Sequence, residues 1–167
     1  MRKSLLARGE DSSSQSFEEA YDRHFQMVYR VCFSYMRNTA DTEDVVADVF
    51  EKLLKYGKDF KDSEHEKAWL LRTAINRCKD YHKHWWRNRL DISDFEYLEA
   101  KNSIPENDLL GIILSLPVRY KDVIYLYYYE GYSTSEVAKL LGKPHSTVRN
   151  HLSEARVLLK GVLKNEE

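Results

Sequence analysis

The chain has 167 residues, of which 43% are hydrophobic and 32% charged, with a net charge of −1. This composition fits a soluble globular protein of one ordinary domain or two small ones, and excludes a disordered chain. Two cysteines in no CxxC pair, Cys32 and Cys78, exclude a disulfide framework or a zinc site of the usual spacing. They read as reduced core thiols.

Six glycines and three prolines favour helices over sandwiches and barrels. Residues 1–16 are polar and serine-rich, so they are expected to be disordered and do not form a secretory leader. The longest near-continuous apolar run, Leu109 to Val118, is too short to span a bilayer. No membrane insertion is expected, and the chain reads as cytoplasmic.

From Phe17 a helical period sets in. Phe17, Tyr21, Phe25, Val28, Cys32 and Tyr35 recur every three or four residues, as one buried helix face requires. Asn38-Thr39 interrupts it. A second helix is predicted from about Thr42 to Tyr56, with Val45, Val46, Val49, Phe50, Leu53 and Leu54 as its apolar stripe. Asp41, Asp44, Asp48 and Glu51 fall on the opposite face at about 100° per residue. Five acids and no base lie between Ala40 and Glu51. A charge run of this kind on its own is most simply a solvated face.

GKDFKDSEHE, residues 57–66, reads as a polar loop. A third helix is predicted from about Lys67 to Arg87, with Leu71, Ile75, Cys78 and Trp85 inward. Arg72, Asn76, Lys79 and Lys83 line another face. Between Arg72 and Arg89 there are six basic residues against one acid, so whole-chain neutrality hides an acidic helix followed by a basic one. Periodicity is lost over 88–105, which reads as a linker.

A second helical unit spans 106–164. It comprises a short helix before Pro117, a Tyr-rich helix from about Val118 to Glu130, and two more helices at Ser133–Leu141 and about His145–Leu163. Ser133 and Glu136 form a capping box. Val137, Leu140 and Leu141 face the core, Gly142 supplies a left-handed C′ position, and Pro144 fits the next first turn. Val148, Leu152, Ala155 and Leu159 make an inner face. This is a helix-turn-helix pattern.

Its outer face carries Ser133, His145, Ser146, Thr147, Arg149, Asn150, Ser153 and Arg156. Arginine reads guanine bidentately and asparagine does the same for adenine, while hydroxyls and helix N-terminal N–H groups suit phosphate. The bland alternative is a solvated face on an ordinary helical hairpin. The expected fold is all-α: two small helical domains, 17–87 and 106–164, joined by the linker.

Three stretches in order carry a resemblance: DTEDVVADVFEKLL (41–54), KAWLLRTAINRCKDYHK (67–83) and LPVRYKDVIYLYYYEGYSTSEVAKLLGKPHSTVRNHLSEAR (116–156). Together they resemble a bacterial RNA polymerase sigma factor of the sigma-70 family, of the small extracytoplasmic-function type. The likeness spans nearly everything from Phe17 to Leu163 and matches that family's regions two and four.

The resemblance implies binding to core RNA polymerase and promoter-specific initiation, with no cofactor, no metal and no catalysis by the chain itself. Asp41, Glu43, Asp44 and Asp48 match the motif that grips the β′ clamp helices. Thr73, Asn76, Arg77 and Lys79 match positions near the non-template strand of the minus-ten element, with Arg72 and Lys83 on the same basic helix. The loop 58–66 corresponds to one that holds a flipped base. Phe60 and His65 are its stacking candidates, although Phe60 fits partial burial equally well. Trp69 reads as core packing rather than a strand-opening wedge.

Arg149, Asn150 and Ser153 match base-facing positions of the minus-thirty-five reader. Two departures stand out: Pro144 replaces a small polar cap, and Glu154 stands where a basic residue is common. The Tyr-rich helix packs the core and is a candidate contact for the polymerase β flap. Partners implied are core polymerase, promoter DNA and an anti-sigma factor, with a monomer in the free state.

Two other readings compete. A helix-turn-helix regulator independent of polymerase explains 133–156 but not the acidic and basic helices before it. A nucleic-acid enzyme needs carboxylates placed to share a metal, or a nucleophile beside a base; Asp41, Glu43 and Asp44 cluster at one helix end, and no Ser/Cys–His constellation stands out.

Overall fold

The computed structural model describes the backbone of residues 3–57, 59–88, 112–113 and 116–164, and side chains over 16–57, 59–84, 112–113 and 116–161. The 88–105 linker, apart from Asn88, and the inward placement of Trp85 lie outside the described residues. All regular elements among the described residues are helical. The chain divides into two units, Met1–Leu90 and Asp91–Glu167.

The first unit contains α1 (Lys3–Met36), α2 (Thr39–Tyr56) and α3 (Ser63–Asn88). Helix α1 begins at Lys3, so its backbone includes most of the stretch expected to be disordered. Leu5, Leu6, Ala7 and Arg8 are good helix formers, and they precede a segment that is packed from residue 17 onward.

Val28, Val31, Cys32 and Tyr35 of α1 meet Val45, Val46, Val49, Phe50 and Leu53 of α2 and Leu70, Leu71, Ala74, Ile75 and Cys78 of α3 in one buried core. No disulfide joins Cys32 and Cys78. Tyr21 is 37% exposed and Leu54 is 54% exposed, unlike their expected inward placement. The reason for Tyr21 is geometric. Phe17, Tyr21, Phe25, Tyr29 and Phe33 form an i, i+4 row, and such rows wind around the helix instead of following the core. The row leans on Phe50, whose ring centroid lies 4.6 Å from that of Tyr21.

The α1–α2 corner is tight. Arg37 takes φ 55°, and its N–H donates to Phe33 O at 2.9 Å. Asn38 then caps α2, its Oδ1 accepting from Asp41 N–H at 2.8 Å. Helix α2 therefore starts three residues before the expected Thr42.

Helix α3 starts four residues before the expected Lys67. Asp62 Oδ1 accepts the His65 N–H at 2.8 Å, an N-cap contact that the sequence reading assigned to a loop. Arg23 and buried His24 of α1 both reach Glu66 Oε1, at 3.0 and 2.8 Å, and so fix the first turn of α3.

The second unit buries Ile112, Ile113 and Leu116 ahead of α4 (Val118–Ile124). Helix α4 continues directly as a π-helical segment, Tyr125–Tyr129, in place of the single α-helix expected to Glu130. Glu130 N–H donates to Tyr125 O at 3.1 Å, five residues back. The turn at Gly131 leads into α5 (Thr134–Leu141) and α6 (His145–Lys164). Val137, Ala138, Val148, Leu152 and Ala155 are buried between them, whereas Leu140 and Leu141 are only half-buried.

Gly142 takes φ 61° at the end of α5, and Lys143 N–H returns to Ala138 O at 3.0 Å, a Schellman closure. Pro144 precedes the first helical residue of α6, with Val148 N–H on its carbonyl at 3.2 Å. It is the N-cap residue and offers no side-chain acceptor.

Gly57 ends α2 under a different constraint. A Cβ there would lie 2.6 Å from Leu53 O and 3.1 Å from the Phe60 ring. Gly57→Ala is predicted to lower stability by about 1–3 kcal/mol, since backbone and an aromatic ring must both shift. Chemical denaturation checks this: a midpoint equal to that of the parent chain would contradict the close approach.

Candidate nucleic-acid and polymerase interface

The acidic stripe of α2 is split. Glu43 and Asp44 are exposed. Asp41 and Asp48 are half-buried at the edge facing α3, not opposite the core as their helical spacing predicted. Asp41 Oδ2 accepts from Asn38 Nδ2 and its Oδ1 from the Tyr81 hydroxyl, each at 2.7 Å. The bond to Asp41, and secondarily partial burial, push the Tyr81 phenol pKa up to about 12.

Asp48 Oδ2 accepts two donors from Arg77, Nε at 2.9 Å and Nη2 at 2.5 Å. A residue of the expected polymerase motif is thus paired with a residue of the expected DNA face. Both side chains are 39% exposed, so the pair is a modest tie of under about 1 kcal/mol. It has a geometric consequence: α2 and α3 present their charges on adjoining surfaces of one unit.

On α3, Arg72, Asn76 and Lys83 are exposed, and Thr73 and Lys79 are half-buried. At its N-terminal end, Phe60 is half-buried between His65 and Trp69, with ring centroids at 5.5 and 5.6 Å. His65 belongs to the first turn of α3 and is exposed. Its Nδ1 accepts the Lys61 N–H at 3.3 Å. Phe60, His65 and Trp69 are one aromatic cluster, whereas the sequence pairs only Phe60 with His65 and sets Trp69 apart as core packing.

On the second unit, His145, Ser146, Arg149, Asn150, Ser153 and Arg156 are exposed along one side of α6, and Thr147 is half-buried. A shallow groove is lined by Arg149, Asn150 and Ser153 of α6, by Thr134 of α5, and by Tyr127 of the π-helical segment. Thr134 Oγ1 and His145 Nε2 lie 2.7 Å apart and join the N-termini of the two helices.

Ser133 is committed to the cap: its Oγ accepts Glu136 N–H at 3.3 Å, and its own N–H donates to Glu136 Oε2 at 2.8 Å. The Ser133 N–H, and secondarily the Ser133 hydroxyl, hold the Glu136 carboxyl below its usual range. Arg156 donates Nε–H to Tyr128 Oη at 2.7 Å, so it is oriented by a tyrosine. Glu154 accepts from the Tyr120 hydroxyl at 2.8 Å, a local tie that explains an acid at this point.

Sequence reasoning missed Tyr81, and it placed Tyr127 and Tyr128 in the core or against the β flap, whereas Tyr128 is 54% exposed and both lie beside Arg156. All three lie in aromatic-rich helices where periodicity marks a core, and only the hydroxyls hinted at a polar task. Among the described residues no cluster of acids, histidines or cysteines has the geometry to hold a metal ion, and no helix is long and apolar enough to cross a membrane.

Comparison with known proteins agrees with this two-part layout. Residues 20–88 match the model of sigma-70 region 2, and residues 106–159 match that of sigma-70 region 4. The RNA polymerase sigma factor SigV of Bacillus subtilis (strain 168) is 28% identical over 147 residues, covering 86% of this chain and 89% of the relative. The ECF sigma factor SigW of the same organism is 22% identical, covering 99% and 98%. Among solved structures, the sigma factor RpoE of Bartonella quintana, crystallised with the anti-sigma factor NepR, superposes with a TM-score of 0.71 at 19% identity, covering 92% of this chain and 99% of that one. CnrH, in complex with the cytosolic domain of CnrY, gives 0.64 at 22%, covering 98% and 97%. With both regions matched in order, the acidic and basic helices in the first and the helix-turn-helix in the second, the chain belongs to the sigma-70 family as an extracytoplasmic-function sigma factor, a non-catalytic protein that directs promoter-specific initiation by RNA polymerase.

Proposed function

We propose a division of labour among the exposed faces. Glu43 and Asp44, with the outer edge of Asp41 and Asp48, engage the β′ clamp helices of core polymerase. Arg72, Thr73, Asn76, Lys79 and Lys83 of α3 hold the non-template strand of the minus-ten element, with Arg77 at the border between the two surfaces. Phe60 and His65 stand beside the flipped base. Arg149, Asn150 and Ser153 read the minus-thirty-five duplex, and His145, Ser146, Thr147, Ser133 and Arg156 flank it at the backbone.

The observation that carries this reading is the placement of opposite charge on adjoining helices of one unit, with Glu43 and Asp44 exposed on α2 and Arg72, Asn76 and Lys83 exposed on α3. Basic groups neutralise phosphate, and polar groups on the same face read exposed base edges. Binding to extruded bases shifts the duplex toward the open state, while polymerase performs phosphoryl transfer. The chain works beside polymerase in the cytoplasm as a monomer when free. An anti-sigma factor restrains it, as complexes of RpoE with NepR and CnrH with CnrY suggest for a protein of this fold.

Run-off transcription with purified core polymerase tests the reading. The chain is expected to give a promoter-specific transcript; intact DNA binding without stimulation would leave the polymerase-independent regulator as the better account. Arg149→Ala is expected to cost about 1–3 kcal/mol of minus-thirty-five discrimination while core binding is kept. Loss of core binding in that variant would contradict the division.

Asp44→Lys is expected to weaken core affinity about tenfold and to leave stability within about 0.5 kcal/mol, because the side chain is exposed. Asp48→Asn is expected to lower stability as well, by up to about 1 kcal/mol, because Arg77 loses its partner. Titration of labelled core and thermal unfolding separate the two; equal behaviour of both variants would contradict the split stripe.

A further inference from the structure

Arg156 lies one turn beyond Ser153, on the side of α6 that carries Arg149 and Asn150. Its guanidinium is not loose. Nε–H donates to Tyr128 Oη at 2.7 Å. Its Cζ lies 5.6 Å from the centroid of the Tyr128 ring and 5.8 Å from that of Tyr127. The two rings meet edge to face, 4.9 Å apart at 83°, and so form a corner against which the guanidinium rests.

Tyr127 and Tyr128 reach this position through the π-helical segment. The wider turn carries the Tyr127 ring to the groove lined by Arg149, Asn150 and Ser153. Tyr128 stays 54% exposed, so its hydroxyl is reachable from the groove side of α6.

An arginine side chain loses much rotamer freedom when it is fixed, and a group held in place beforehand loses less on binding. Tyr128 takes the Nε–H, the Tyr127 hydroxyl adds a weaker hydrogen bond to the guanidinium, and the other N–H groups of the Nη end face a partner end-on. That geometry suits a phosphate, where Arg binds bidentately. A base edge is a poorer fit, since Arg156 lies past the readers toward the C-terminal end of α6.

We infer that Tyr128 is a positioning residue for DNA: with Tyr127 it holds the Arg156 fork at the edge of the recognition groove for one backbone phosphate of the minus-thirty-five duplex. The inference rests on the reading of α6 as the minus-thirty-five helix. It adds a sequence-independent clamp, built from the preceding π-helical segment, beside the base readers Arg149 and Asn150.

The test is equilibrium binding of holoenzyme, the full chain with core polymerase, to promoter fragments with an intact or a scrambled minus-thirty-five element, over a range of salt. Arg156→Ala is expected to weaken both fragments by the same factor and to make the log–log salt slope shallower by about 0.9, the signature of one lost phosphate contact. Tyr128→Phe keeps the ring and removes the hydroxyl. It is expected to weaken both fragments about three- to tenfold when Arg156 is present, and to have no further effect in the Arg156→Ala or Arg156→Lys background.

Tyr128→Phe binding like the parent chain would overturn the inference. So would a Tyr128→Phe loss that persists in both Arg156 backgrounds, because a fault in folding or packing is shared by both. Failure of the underlying reading looks different: the parent holoenzyme would then bind intact and scrambled fragments equally.

Discussion

The contact between α2 and α3 is the constraint on which the first unit depends. Val45, Val46 and Val49 of α2 and Leu71, Ala74, Ile75 and Cys78 of α3 are all buried where the two helices pack, and two polar ties run along the rim, Arg77 to Asp48 and Tyr81 to Asp41. The apolar seam supplies most of the stability. The ties contribute little energy but set orientation. A rotation of α3 that took Arg77 away from Asp48 would also turn Arg72, Asn76 and Lys83 away from their present side. One packing decision therefore fixes where the carboxylates and the cations point.

The second unit meets its constraint by other means. A recognition helix must offer an uncommitted face, so every orphan group at the helix ends has to be satisfied elsewhere. The Ser133–Glu136 box and the Schellman closure at Gly142 do this for the two ends of α5, and the Thr134–His145 side-chain contact ties the start of α6 to α5. Arg149, Asn150 and Ser153 are left exposed as a result. The π-helical segment supplies what an α-helix of the same length would not: it shifts the register of the tyrosine run, so that Tyr125 is buried with its hydroxyl on Glu130 while Tyr127 and Tyr128 turn toward α6.

Much of this was legible in the sequence. The apolar positions Val45, Val46, Val49, Phe50 and Leu53 follow the helical period, and all are buried. The capping box and the left-handed glycine were readable because each has a residue-specific chemistry. The features that escaped have physical reasons. Helical spacing gives the angle of Asp41 and Asp48 around α2 but not which neighbour fills that angle, so their bonds to Tyr81 and Arg77 had no linear signal. The start of α3 was masked by GKDFKDSEHE, a polar stretch in which an N-cap aspartate looks like any loop residue. In the run YLYYY every residue is aromatic or aliphatic, and neither a 3.6-residue nor a wider period can be told apart there.

Under the proposed division of labour, two helices meet different forms of the same promoter: α3 a single strand, α6 a duplex. Site-specific photo-crosslinking from position 76 and from position 149, in holoenzyme on one promoter, measures this directly. The account predicts adducts from position 76 on the non-template strand of the minus-ten element and adducts from position 149 on the minus-thirty-five duplex. Adducts from position 76 confined to polymerase protein, or from both positions on the same DNA segment, would contradict it.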